Sequence, residues 1–404
     1  MSDSYKNSQA RPAIMEGSPP RLVPPRLEWD RAPWNRWSFQ HIREVVPTAE
    51  VWRGESPIRA LPQRHVELGK LTVAGLDGET STLDSLLDDT YTDGFLVIKD
   101  GAIVHERYFN GMGPRTLHLS QSVAKSITSA ALGVLVDRKL LDPAGLITDY
   151  LPELNATAWK GASLQQVLDM TTGVGFSEAY TDPYSEMGQL DVAAGWKPPP
   201  PGADPHFKWP ATVWDLIMSC TRTERPHGAA FHYRSIETDV AAFAMERVTG
   251  KRLPQIISEL IWQKIGAEES ASFTVDPAGY AIADGGFNAT LRDYGRFGLM
   301  LLEKEGGVVP ASWIETTRSG NHSLFGAPHA STMPGGAYHN FFWIEDAAER
   351  NLMAQGVFGQ WIYVDFDRHM VIVKLSTWPD FEVPEFVIAT SNAGRAIGKY
   401  LHGT

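Results

Sequence analysis

Two short motifs of this 404-residue chain bring together the side chains that acyl transfer requires. In the segment Ser-Val-Ala-Lys at 122–125 a hydroxyl precedes an amine by three residues, and Tyr-Arg-Ser at 233–235 adds a phenol. Residues three apart on a helix share a face, so the Lys125 amine can take the Ser122 proton if burial lowers the pKa of that amine. The Tyr233 phenol can then protonate a leaving group. The motifs predict a serine hydrolase with Ser122 as nucleophile, Lys125 as base and Tyr233 as proton shuttle.

Each of these residues also has a plain structural interpretation. Ser122 comes just before an apolar helical pattern, so it could be an ordinary helix N-cap. Lys125 could be a surface lysine, and Tyr233 could be a packed aromatic. A Ser-x-x-Lys pair also arises easily by chance in a chain of this length, so the assignment depends on the surrounding sequence.

The composition narrows the class of protein. The formal net charge of -12 disfavours nucleic acid and anionic membranes as partners, because both need clustered Lys and Arg. Cys220 is the only cysteine, which excludes an intramolecular disulfide and a thiolate-rich metal site. The 12 histidines lack a metal-binding spacing and no nucleotide fingerprint is found, so we expect neither a metal nor a cofactor. No apolar run could span a bilayer and residues 1–50 lack the core of a signal peptide, so we expect a cytoplasmic protein.

The pattern around the motifs predicts the elements that position them. Apolar residues at helical spacing from Val123 to Leu135 predict a helix that carries Ser122 at its N-terminus. Two β-hairpins are predicted, one over 95–104 around an Asp-Gly turn and one over 361–375 near the C-terminus. Strands at both ends of the chain and helices between them indicate an α/β fold with an all-α insertion.

This order of elements predicts three parts. Residues 51–118 and 290–404 should form a discontinuous α/β domain, and residues 119–289 a mostly helical domain that carries the nucleophile. Residues 1–50 are rich in proline and polar residues and should form an N-terminal arm, with disorder as the alternative for residues 1–25.

Beyond its composition, the chain resembles a known family. The Ser-x-x-Lys motif at 122, the Tyr-x-Ser motif at 233 and the segments 163–173 and 356–360 look like the ordered landmarks of class C β-lactamase-type serine hydrolases, which include penicillin-binding esterases. Within that family the resemblance is closest to amidases of linear amide oligomers, and it runs over most of the chain from about residue 34. The resemblance implies a β-lactamase-like fold, an antiparallel sheet flanked by helices with an all-α insertion domain.

The resemblance also implies how the reaction's oxyanion is held. Two backbone N–H groups are needed, and the family pattern supplies them from Ser122 and Val357. The alternative is that Gly356 and Gly359 mark only a bulge in an edge strand.

The same resemblance implies four substrate-binding residues, Tyr180, Asp191, Trp196 and Asp284. The Tyr180 phenol could bond the scissile amide, the Asp191 carboxylate could pair with a substrate ammonium, and the Trp196 indole could close over an alkyl chain. Asp284 would place a second carboxylate in the cleft, although an Asp before Gly is also a common turn residue.

Two departures from the family pattern bear on the substrate. Ser235 stands where β-lactamases of this class carry Asn, and it is either a site residue or a simple turn residue. Ala-Gln-Gly at 354–356 replaces Lys-Thr-Gly or His-Thr-Gly, so no cation remains there to hold a β-lactam carboxylate. We therefore do not expect penicillin hydrolysis as the main activity.

The expected function is hydrolysis of a short linear amide with a cationic amino end through an acyl-enzyme. The alternative is a β-lactamase-fold carboxylesterase for short-chain esters with little amidase activity, and a catalytically silent binder is a weaker third. The expected partner is a small-molecule amide or ester, and a homodimer stays open.

Overall fold

The computed structural model describes residues 15–18, 22–76, 78–303 and 307–402. Thirteen strands are found among these residues, namely β1 (Thr48–Val51), β2 (Thr72–Ala74), β3 (Thr80–Thr82), β4 (Thr92–Lys99), β5 (Ala102–Tyr108), β6 (His118–Leu119), β7 (Ala271–Thr274), β8 (Phe287–Ala289), β9 (Ala337–His339), β10 (Phe342–Ile344), β11 (Leu352–Gly356), β12 (Gln360–Asp365) and β13 (Met370–Ser376). The α-helices of the same residues are α1 (Asn35–Ser38), α2 (Ile42–Val45), α3 (Leu83–Asp89), α4 (Val123–Asp137), α5 (Ile147–Tyr150), α6 (Leu164–Leu168), α7 (Glu186–Ala193), α8 (Val213–Ser219), α9 (Ile236–Thr249), α10 (Leu253–Ile257), α11 (Leu291–Leu302), α12 (Ala311–Thr317) and α13 (Pro384–His402).

A seven-stranded antiparallel sheet with the order β5-β4-β13-β12-β11-β10-β9 forms the larger layer. Helices cover both of its faces at close range. A Cβ placed on Gly298 of α11 would lie 2.4 Å from Val371, and one on Gly394 of α13 would lie 2.7 Å from Trp361. Because both faces are covered, all seven residues of β13 are buried, and its sequence is a nearly continuous apolar run.

Both predicted hairpins are present in this sheet. β4 pairs with β5 around Asp100 and Gly101, whose φ angles of 51° and 75° are those of a tight primed turn. β12 pairs with β13 in a register that extends from the pair Trp361 and Lys374 to the pair Asp365 and Met370. The antiparallel sheet flanked by helices confirms the predicted fold class.

A second, four-stranded sheet with the order β1-β7-β8-β6 lies within the mainly helical region. Sequence analysis predicted only helices there, because β7 and β8 are three to four residues long and carry no clear alternation. This sheet leads directly into the candidate site. β6 ends at Leu119, and Ser120 and Gln121 then lead to Ser122 and α4; the Ser120 amide donates to the Phe287 carbonyl at 2.9 Å.

The described N-terminal residues include α1, α2 and β1, which joins the second sheet through β7. Phe39 in this segment is buried, and Trp29 is buried as well. The disorder considered for residues 1–25 falls mainly on residues 1–14 and 19–21, which lie outside the described residues.

Candidate active site

Ser122 lies at the N-cap position of α4, immediately before its first residue, where the chain turns in from β6. The preceding residue, Gln121, has a φ of 49°, and Ser122 itself has helical angles of −63° and −4°. Its side chain makes no capping hydrogen bond, which separates it from an ordinary N-cap. The hydroxyl oxygen instead accepts a hydrogen bond of 2.8 Å from Lys125 Nζ.

Lys125 lies one turn into α4 and is 1% exposed. Besides the bond to Ser122, its ammonium donates to Ser235 Oγ at 3.2 Å and to the Asp284 backbone carbonyl at 2.7 Å. α4 is buried on all sides over its first three turns, so the amine is enclosed by protein groups. The alternative interpretation of Lys125 as a surface lysine is therefore wrong, and Ser235 contacts the site.

Tyr233 closes the group from the segment before α9. The Lys125 ammonium lies 5.1 Å from the centre of the Tyr233 ring, and the phenol forms hydrogen-bonding contacts with the Ser122 and Lys125 side chains. The ring stacks on Trp343, with centroids 5.3 Å apart. The structure thus brings Ser122, Lys125 and Tyr233 into one contact network.

Glu178 is a member of this network that sequence analysis did not find. Its carboxylate accepts a short hydrogen bond from the Ser235 amide, and the Ser235 hydroxyl lies 3.4 Å from its second oxygen. The Tyr180 phenol also donates to Glu178. Glu178 lies in a loop, so no helical or strand spacing could have predicted its place in the site. The sequence offered one indication, which is that Glu178 lies two residues before Tyr180.

The protonation state of Lys125 differs from the sequence-based expectation. Burial alone lowers the pKa of this amine, but its interactions with Tyr233, Asp284 and Glu178 outweigh burial and raise the pKa above its ordinary value. Burial raises the pKa of the Tyr233 phenol, against the influence of Lys125. At rest the site therefore holds an ammonium beside a neutral phenol.

A cavity of about 110 Å³ opens above Ser122. Four of the predicted site residues line it, namely Ser122, Tyr180, Tyr233 and Val357. The opposite wall comes from β11, β12 and the segment that leads into α13, and it is rich in aromatic side chains, namely Trp361, Trp378 and Phe381. The catalytic group and the aromatic wall thus come from different parts of the chain.

The end of β11 lies directly against the turn that carries Ser122. A Cβ placed on Gly356 would lie 2.4 Å from the Ser120 carbonyl oxygen and 3.0 Å from the Ser122 amide nitrogen. Only glycine fits this approach, because both neighbours are backbone atoms. Val357 is the next residue in the chain and also lines the cavity.

Residues 83–394 match the β-lactamase family. The chain belongs to this family. It is 35% identical over 365 residues to the 6-aminohexanoate-dimer hydrolase of Paenarthrobacter ureafaciens, with 87% of this chain and 88% of that protein covered. A solved Bacillus anthracis structure, provisionally described as a 6-aminohexanoate-dimer hydrolase, matches with a TM-score of 0.85 and 30% identity over 94% of this chain and 97% of that chain.

A family VIII carboxylesterase shares the fold of this β-lactamase-family chain, with a TM-score of 0.56 and 16% identity over 77% of this chain and 97% of that one. A D-stereospecific amidohydrolase from Streptomyces matches similarly, with a TM-score of 0.55 and 16% identity over 73% of this chain and 93% of that one. The family resemblance read from the motifs is thereby confirmed, and the chain is a hydrolase with a β-lactamase fold.

Three predicted substrate-binding residues of this family member lie outside the cavity, namely Asp191, Trp196 and Asp284. The Asp191 carboxylate is paired with Lys197 Nζ at 2.9 Å, and Lys197 also contacts Asp30 at 2.6 Å. The Trp196 indole donates to Thr274 Oγ1 at 3.1 Å.

Asp284 lies behind the lysine, with its carboxylate 3.9 Å from Lys125 Nζ. Asp284 contacts the site through its backbone carbonyl, which accepts the hydrogen bond from Lys125 Nζ. The substrate-binding roles of all three residues stay predictions.

Charged groups are rare in the cavity wall. Among the described residues that line it, none is a lysine or arginine, and Glu382 is the one carboxylate. Burial and the nearby His232 lower the pKa of His329 to about 4, so this residue is neutral at pH 7. Ala354 stands at the position of the β-lactamase family's cation; the next residue, Gln355, lines the cavity, and its amide nitrogen lies 3.5 Å from the Met353 sulfur.

None of the helices in the described part of the chain is both long and apolar enough to span a bilayer.

Proposed function

We propose that this chain hydrolyses short linear amides with a cationic amino end, of the 6-aminohexanoate-dimer type, through an acyl-enzyme on Ser122. The observation that carries the proposal is the 2.8 Å hydrogen bond from the buried Lys125 ammonium to the Ser122 hydroxyl, closed by Tyr233. The substrate class comes from the curated relative, which covers most of the chain.

Acylation begins when the Ser122 oxygen attacks the amide carbon and its proton passes to the free amine of Lys125. The carbonyl oxygen becomes an oxyanion, which the backbone amides of Ser122 and Val357 would stabilise. The close approach of Gly356 to the Ser122 turn supports this pairing of the two amides.

Collapse of the tetrahedral intermediate breaks the C–N bond. An amine is a poor leaving group unless its nitrogen is protonated, and the neutral Tyr233 phenol would supply that proton, with Lys125 restoring it. Water then attacks the Ser122 ester, gives its proton back through the same pair, and releases the carboxylic acid. The reaction consumes one water and leaves the enzyme unchanged.

The cavity supports an alkyl substrate with a positive end. Trp343, Trp361 and Trp378 provide apolar surface for a methylene chain. Glu382 at the same wall can pair with an ammonium. Glu382 is thus a second candidate for the role predicted for Asp191, which is paired with Lys197.

A carboxylesterase is the second candidate. The pairing of Asp191 with Lys197 favours it, because one of the acids expected to recognise a substrate amine is occupied. Protonation of the leaving group also matters less for an ester than for an amide, because an alkoxide leaves more readily than an amine anion. The esterase reaction therefore depends less on Tyr233.

Hydrolysis of linear 6-aminohexanoate dimer and of p-nitrophenyl butyrate, compared under identical conditions, separates the candidates. We expect the wild type to cleave both and Ser122→Ala to cleave neither. Ser126→Ala is the matched control, because Ser126 lies on the same helix but donates to the Phe341 carbonyl at 2.7 Å, away from the cavity. Cleavage of the ester alone would replace the amidase proposal with the esterase, and cleavage of neither would refute both.

A further inference from the structure

Two buried carboxyl groups, those of Asp239 and Asp284, lie behind Lys125 on the side away from the cavity. Asp239 is on α9 and is 1% exposed, and Asp284 is in the turn before β8 and is 5% exposed. One oxygen of each, Asp239 Oδ2 and Asp284 Oδ1, is buried without a hydrogen-bond partner among the described residues. Buried carboxylate oxygens are costly to leave unpaired, so both oxygens require an explanation.

Asp239 holds the backbone that contacts the lysine. Its Oδ1 accepts a hydrogen bond of 2.9 Å from the Ala283 amide, and the Asp284 amide also donates to it. The carbonyl of that same Asp284 accepts the 2.7 Å hydrogen bond from Lys125 Nζ. A continuous chain of contacts therefore links α9 to the catalytic amine.

The two carboxyl groups do not both ionise easily. Burial raises the pKa of Asp239, and the negative charge of Asp284 raises it further. Burial also raises the pKa of Asp284, although Lys125 opposes this effect. One lysine can balance one carboxylate, so a second buried negative charge beside it is unfavourable and a shared proton relieves it.

Other charged groups face this cluster from neighbouring segments. Tyr233, which lines the cavity, and Glu178 both act on Lys125, and the charge of Asp191 acts on Asp284. Asp191 is itself paired with Lys197, and the Glu178 carboxylate is held by the Ser235 amide. Asp239 and Asp284 are therefore the two acids of the cluster that retain unpartnered oxygens.

We propose that Asp239 and Asp284 are positioning residues that share one proton between their unpartnered oxygens and thereby set how readily Lys125 gives up its own proton. The inference rests on the proposed role of Lys125 as the base that activates Ser122. Sharing leaves one negative charge on the pair, spread over a carboxyl that lies 3.9 Å from the lysine and one that lies farther back. The fraction of charge on Asp284 then determines how strongly the ammonium is stabilised.

The two isosteric variants should move that charge in opposite directions. In Asp239→Asn the amide oxygen can still accept from Ala283, but the single charge now resides on Asp284, so the Lys125 ammonium is stabilised. In Asp284→Asn the charge resides on Asp239, farther from Nζ, so the ammonium is destabilised. When kcat/KM is plotted against pH, the midpoint of the rising limb should shift to higher pH in Asp239→Asn and to lower pH in Asp284→Asn. Each shift should be about one pH unit.

The test is the pH profile of kcat/KM for p-nitrophenyl butyrate with the wild type and both variants. Asp276→Asn is the matched control, because Asp276 is a buried aspartate that accepts backbone amides of Val213 and Tyr280 away from the site. A purely structural role would lower stability without moving the limb, as the control should. Opposite shifts support the proposal, whereas unmoved limbs or shifts in the same direction overturn it.

Two further measurements keep the outcome clear. If Asp239→Asn does not fold, the shared proton can be observed by infrared spectroscopy of protein labelled with ¹³C-aspartate. The wild type must show a protonated aspartic acid at pH 7, and Asp284→Asn must lack it. Any other result refutes the carboxyl pair. If the wild type hydrolyses neither test substrate, the proposed function fails. If Ser122-dependent hydrolysis is present and the limbs do not separate, only the carboxyl pair fails.

Discussion

Replacement of Gly356 by alanine tests whether the end of β11 forms half of the oxyanion site. The new Cβ would lie 2.4 Å from the Ser120 carbonyl oxygen and 3.0 Å from the Ser122 nitrogen. An ordinary contact at this place needs roughly 1 Å more, and neither backbone neighbour can move independently of α4. The end of β11, with the Val357 amide, must therefore retreat from Ser122.

A displacement of roughly 1 Å at a reacting centre can reduce the rate about 100-fold, and loss of one oxyanion donor reduces kcat about 100- to 1,000-fold. We expect a fall of kcat in that range for Gly356→Ala with p-nitrophenyl butyrate. Overpacking of this kind also costs about 1–3 kcal/mol of stability. The folded fraction should remain large enough for the kinetics to be measured.

Gly326→Ala is the matched control, because a Cβ there meets no atom within 4 Å and the glycine has no positive φ. Steady-state kinetics should be combined with thermal unfolding and with labelling of Ser122 by a fluorophosphonate. A Gly356→Ala enzyme with wild-type kcat and wild-type melting temperature would refute the argument. A lowered melting temperature with unchanged kcat would keep the close contact but remove the Val357 amide from the reaction.

Three further outcomes are expected. Since acids around Lys125 raise its pKa, the fraction of free amine grows with pH, so kcat/KM for p-nitrophenyl butyrate should keep rising above neutrality; a plateau already reached below pH 6 would contradict this protonation state. Glu382→Gln should raise KM for 6-aminohexanoate dimer and leave KM for its N-acetylated form unchanged, and equal effects on both would remove Glu382 from amine recognition. Lys197→Met leaves Asp30 and Asp191 without their cation and should lower the free energy of unfolding by about 3–5 kcal/mol, as measured by urea denaturation.

The contact between Ser122 and Lys125 could be predicted from the sequence because it is local. A spacing of three residues at helical backbone angles places the two side chains on the same face, independently of the rest of the chain. The hairpin at Asp100-Gly101 was predictable for the same reason, since its turn geometry is a property of adjacent residues.

Features that depend on distant segments were not predictable in this way. Asp191 looked like a free carboxylate, but Lys197, just beyond the end of α7, pairs with it and joins it to Asp30 from the distant N-terminal segment. Burial alone suggested a neutral Lys125, whereas acids from three separate segments reverse that conclusion. Pairings across the chain decide charge states, and no local pattern records them.

The aromatic wall of the cavity and its reacting group are carried by different layers of the protein. Trp361 and Trp378 belong to the seven-stranded sheet and the segment after it, while Lys125 belongs to α4 and Ser122 to its N-cap. Changes to the wall can therefore alter which molecules fit without disturbing the contacts that make Ser122 reactive. Laboratory evolution toward new linear substrates should draw its successful substitutions from the cavity-lining residues within 360–391, with the reaction itself inherited unchanged.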